Sequence, residues 1–94
     1  MKKIIQKQKE AVLSELCQKI VARDWSQKMV DETPEDVINY VEDNNNQDED
    51  LKLRKKQYDN DLKNVETNKL HIEADVFAYN TLSNLEEEIK QLLK

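Results

Sequence analysis

The chain has 94 residues, of which 20 are acidic and 15 basic, giving a formal net charge of −5; it has no glycine and one proline. Without glycine, the phosphate-cradling loops, dinucleotide-binding turns and tight hairpins that need a left-handed or closely approached backbone are excluded. One cysteine and one histidine leave no internal disulfide and no structural zinc site within a single chain.

Hydrophobic and charged residues each make up 37% of the chain, and the apolar ones recur at helical spacing. Together these predict an all-α protein rich in surface. If compact, a chain of this length has a radius of gyration of about 12–13 Å and a core small enough that association would add to its stability.

The first helix is predicted over about residues 3–31, with Ile5, Val12, Leu13, Leu16, Cys17, Ile20, Val21, Trp25 and Met29 on one broad face. Leu13, Cys17, Val21, Trp25 and Met29 form an unbroken four-residue ladder. Cys17 is expected to be a small core residue rather than a reactive thiol, and Trp25 a core anchor rather than a partner contact. A short second helix is predicted over about 34–43. Thr33 is placed as its N-cap, Pro34 at the first helical position, Glu35 in the first turn and Asp36 at the capping-box position. Val37, Ile38 and Val41 are expected inward and Tyr40 at the edge. Asn44 to Gln47 read as a turn, and Asp48, Glu49 and Asp50 as the acidic start of a third helix running to about residue 93.

The third helix organises the chain. Leu51, Tyr58, Val65, Ile72 and Tyr79 recur every seven residues. A second class, Lys55, Leu62, Lys69, Val76 and Ser83, completes a narrow seam that is polar at every other step. A further stripe of Leu70, Ala74, Phe77, Thr81 and Leu85 lies about 100° round the helix, so the segment 70–85 has two apolar sides and needs two neighbours. Packed antiparallel, the first helix would cover the third only to about Tyr79, leaving Leu82, Leu85, Ile89, Leu92 and Leu93 overhanging. Either the chain breaks near residues 80–83, with Ser83 to Glu86 capping a fourth helix, or the overhang pairs with a second subunit. The dimer is the preferred reading. The expected fold is thus an antiparallel helical hairpin or bundle in one domain, with three helices (four if the break occurs) and a long coiled-coil-like C-terminal one.

Charge is unevenly placed. Asp31, Glu32, Glu35, Asp36, Glu42, Asp43, Asp48, Glu49 and Asp50 fall in one stretch without a lysine or arginine, on an otherwise net basic chain. This acidic lobe reads either as a solvated connector or as a docking surface for a basic partner, such as the nucleic-acid channel of an enzyme. The basic run Lys52, Arg54, Lys55 and Lys56 is short and adjoins acids at helical spacing, which makes direct nucleic-acid binding the weaker reading. Calcium-loop spacing fails from Asp59, with Lys63 at the fifth position and Leu70 at the twelfth. It also fails from Asn44, with Glu49 where glycine belongs and Lys55 at the twelfth. His71, beside Glu73 and Asp75, is expected to be a partly exposed helix residue with no cleft to serve.

These features predict no catalytic residue, no metal and no cofactor, and a non-enzymatic protein that acts by binding another protein. The preferred form is an inhibitor, modulator or adaptor, and the Lys/Asn-rich text fits a bacterial or phage genome. Its apolar binding surface is expected to comprise Leu70, Phe77, Tyr79, Leu82, Leu85, Ile89 and Leu92. The alternatives are a nucleic-acid-associated dimer using Lys2, Lys3, Lys7 and the 52–56 cluster, and a purely structural coiled coil. No apolar run near the N-terminus is long enough for a signal peptide or a membrane span, so the expected location is the cytoplasm of the producing or host cell.

Overall fold

An apolar or aliphatic-stemmed residue at every third or fourth position, with no glycine or internal proline to interrupt it, commits most of this chain to two long helices. In a computed structural model, which describes residues 2–41 and 48–94, these are α1 (Lys2–Asp31) and α3 (Glu49–Leu92). The four-residue α2 (Glu35–Ile38) lies between them in sequence. The described residues contain no strand, so the fold is all-α. α1 and α3 form an antiparallel hairpin measuring 75 × 16 × 15 Å, with a radius of gyration of 20.8 Å. That is far from the compact expectation, because two helices side by side leave most of each helix uncovered.

The seam of α1 comprises Ile5, Lys9, Val12, Leu16, Lys19, Arg23, Ser26 and Val30, all buried or half-buried. On α3 the row Leu51, Tyr58, Val65, Ile72 and Tyr79 is half-buried, as the sequence pattern predicts. The second row differs. Asp61, Asn68, Asp75, Leu82 and Ile89 face inward, one position before the predicted class, while Leu62, Lys69 and Val76 are exposed. The reason is helix phase: Asp61, Asn68 and Asp75 each follow the apolar row by three and so fall into the seam; Asp61 Oδ1 accepts from Gln57 Nε2 of its own helix at 3.1 Å, and Arg23 pairs with the adjacent Asp24. Lys9 fixes the register at one end. Its Nζ lies 3.7 Å from Glu86 Oε1 and 5.0 Å from the Tyr79 ring centroid.

The connector moves the register away from the one the sequence implied. Instead of turning directly from α1 into α3, the chain lays α2 and Tyr40 along the first turns of α3. Val37 is 1% exposed and Tyr40 buried, and Lys55 Nζ donates to the Ile38 carbonyl at 2.8 Å. This shifts α1 toward the C-terminal part of α3. Ile5 lines one recess with Glu86 and Ile89, and Leu82 and Ile89 are half-buried rather than overhanging. α3 runs through Asn80 without a break, so the fourth helix expected from Ser83 does not form.

Capping also departs from expectation. Thr33 Oγ1 donates to the Met29 carbonyl at 2.7 Å, satisfying the open end of α1 instead of the start of α2. The N-cap of α2 is Pro34, with no side-chain cap bond. Its carbonyl accepts from the N–H groups of Val37 and Ile38, both at 3.1 Å. Because α2 stops at Ile38, the phase changes there, and Tyr40 turns inward while Val41 is exposed. The predicted end of this helix near residue 43 and the turn at 44–47 lie outside the described residues. Asp48 caps α3, its Oδ1 accepting from Asp50 N–H at 3.0 Å and Leu51 N–H at 3.2 Å.

Candidate interaction surface

The apolar residues outside the seam define a surface. Leu13 and Ile20 follow the seam residues Lys9 and Leu16 by four, and Leu62 and Val76 follow Tyr58 and Ile72 by four. In an antiparallel pair such positions flank the seam on the same side of the hairpin. Cys17 continues this side outward on α1, whereas Val21 of α1 and Leu70 and Phe77 of α3 lie about 180° from the seam, on the outward backs of their helices. With Lys9 held between Tyr79 and Glu86, residues 13–21 of α1 run beside roughly residues 70–78 of α3. Apolar side chains are thus exposed midway along the rod, on one flank and on the backs of both helices. Phe77 is 73% exposed and Val21 69%.

The structure therefore separates residues that the sequence grouped. Of the predicted apolar surface, Leu70, Phe77, Leu85 and Leu92 are exposed, whereas Tyr79, Leu82 and Ile89 are taken into the seam against α1. Cys17, expected in the core, is exposed. Trp25, expected to be a core anchor, is 61% exposed, with Lys28 Nζ 5.9 Å from its ring. Both lie on the four-residue ladder, which precesses across the outer side of α1 because a strict repeat of four runs ahead of a 3.6-residue turn. The signal for the true α1 seam was the alternation of three and four through Ile5, Val12, Leu16 and Val30, masked by the lysines, arginine and serine within it.

No protein-family model, curated protein or solved structure matches this chain.

The acidic lobe occupies one end. Asp31, Glu32, Glu35, Asp36, Asp48, Glu49 and Asp50 are all exposed; Glu42 and Asp43 lie outside the described residues. Three of the acids have local roles: Asp31 Oδ1 accepts from Gln27 Nε2 at 2.8 Å, Asp48 is the N-cap and Asp50 makes a 3.4 Å ion pair with Arg54 Nε. The adjoining basic run is largely engaged. Besides Arg54, Lys55 binds the Ile38 carbonyl, stands 3.5 Å from Asp59 Oδ1 and lies 5.0 Å from the Tyr58 ring centroid. His71 is exposed. Among the described residues, no three of the histidine, cysteine, aspartate and glutamate side chains converge as a metal site, and no helix is long and apolar enough to cross a membrane.

Proposed function

We propose that this chain is a non-enzymatic protein-binding hairpin that works as a dimer, as an inhibitor, modulator or adaptor of a larger partner. The observation that carries this reading is the exposed apolar stripe on the back of α3. Leu70 at 57% and Phe77 at 73% exposure, with Ala74 between them also exposed, share one face of α3, and grouped exposed apolar surface marks a binding site where scattered residues do not. The acidic lobe at one end supports a steering role toward a basic surface, since exposed like charges raise encounter rates with an oppositely charged partner.

The test is capture of a partner by the tagged chain, compared with Phe77→Lys and Leu70→Lys. A stoichiometric partner that survives nuclease and is lost from both variants is the expected result. Capture that ignores both substitutions overturns the reading. For the lobe, the triple change Asp48→Asn, Glu49→Gln and Asp50→Asn keeps the helix cap, since asparagine caps as well as aspartate. It is expected to slow association and flatten its salt dependence. An unchanged association rate removes the lobe from the mechanism.

A further inference from the structure

We propose that the stripe on the back of α3 receives an amphipathic α-helix of another protein, apolar along one face and edged on one side by lysine or arginine. This rests on the protein-binding reading above and names the chemistry of the partner.

The stripe has the form of a helix-packing face. Leu70, Ala74, Phe77, Thr81 and Leu85 succeed one another by three and four, and all are exposed. Thr81 belongs to it because its Oγ1 donates to the Phe77 carbonyl at 2.9 Å, which satisfies the hydroxyl within α3 and leaves the methyl to the stripe. From Leu70 to Leu85 the stripe runs for about 22 Å, so its occupant needs about four helical turns. The middle of a helix has no free backbone edge, so a strand cannot add to it by main-chain bonding. Side chains spaced by three and four form a ridge that packs into the grooves of another helix.

Charge selects the kind of helix. From Leu70 to Ile89 the chain contains no lysine or arginine. Glu66 and Glu73 each stand four residues before an apolar anchor, Leu70 and Phe77, and so line one edge of the stripe. Glu88 follows Leu85 by three and closes its far end. All three are exposed, and among the described residues none of them takes part in an ion pair. Lys69 lies farther round, on the flank with Leu62 and Val76. The opposite edge, Thr67, His71 and Ala78, carries no carboxylate. The complement is therefore a helix with cations along one edge.

Other occupants fit less well. A second copy laid antiparallel on the stripe brings like edges together by its two-fold symmetry, so the two glutamate rows would share one rim. Laid parallel, it brings the acidic lobes together. A bilayer-lying helix carries lysines and arginines on its polar side, and this stretch of α3 has glutamates there.

The test uses two synthetic helical peptides of about 18 residues, enough for the stripe's length. They share one leucine stripe; one is edged with lysine and the other with glutamate. Each carries a fluorophore and is titrated with the 94-residue chain, with binding read by anisotropy. Saturable one-to-one binding of the lysine-edged peptide, weakening with salt, is expected, and none of the glutamate-edged one. Phe77→Ser and Leu70→Ser, with helicity checked by circular dichroism, are each expected to weaken binding about tenfold or more. Combining Glu66→Gln, Glu73→Gln and Glu88→Gln is expected to weaken it about tenfold and to flatten its salt dependence. Failure of the lysine-edged peptide to bind, or equal binding of both peptides, overturns the proposal. Binding that ignores Phe77→Ser puts the peptide elsewhere, such as on the acidic lobe, and also overturns it. Self-association that Phe77→Ser abolishes and the peptide leaves undisturbed gives the stripe to a second copy instead. A captured partner lost from Phe77→Lys but retained by the triple glutamine variant sinks this inference while leaving the protein-binding reading in place.

Discussion

Asp75 sits half-buried in the seam, and its Oδ2 is enclosed without a hydrogen-bond partner. A buried polar atom left unsatisfied costs about 1–3 kcal/mol, so Asp75→Leu is expected to raise the thermal unfolding midpoint. A lower midpoint would mean that Asp75 contributes more to the seam than it costs. The caps give the opposite sign. Asp48→Ala removes two accepted hydrogen bonds at the start of α3 and is expected to cost about 1 kcal/mol, with Asp48→Asn near neutral. Val37, the most completely buried side chain, holds the connector against α3. Val37→Ala is expected to cost about 2 kcal/mol, readable as a shift in denaturation midpoint, and to speed amide exchange at Asn39 and Tyr40, whose N–H groups bond within α2 and its exit turn.

At the scale of elements, the long helices were legible and their pairing was only half legible. The seven-residue row from Leu51 to Tyr79 was readable because it is apolar throughout. Its companion row was hidden because Asp61, Asn68 and Asp75 look like surface residues, yet each stands three residues after a member of the apolar row and is carried into the seam by that spacing. Cys17 and Trp25 misled for the converse reason: apolar side chains at a regular spacing of four resemble a core stripe, yet that spacing alone cannot follow one face. The register could not be read without knowing that α2 lies back along α3. Thr33 went to α1 because a hydroxyl two residues past the end of a long helix meets open carbonyls before it meets the next helix. Continuity of α3 is itself testable. Asn80→Pro removes a backbone donor in mid-helix and is expected to cost about 3 kcal/mol or more, with loss of helical circular dichroism; little change would place a bend there already.

For the whole molecule, association would add to stability. A hairpin whose buried apolar side chains lie near its two tips holds little free energy of its own, and a partner that binds only the folded form adds to it by mass action. The unfolding midpoint is therefore expected to rise with protein concentration. A midpoint constant over a hundredfold range of concentration would show that the hairpin stands alone. The exposed apolar stripe of α3 was legible, since Leu70 and Phe77 belong to the second stripe read from sequence. The shape has one further consequence. A rod 75 Å long and 16 Å across drags more solvent than a sphere of equal mass. In gel filtration a single chain would leave the column early and imitate a heavier particle, whereas a side-by-side pair, thicker but scarcely longer, would depart less from the behaviour of a sphere.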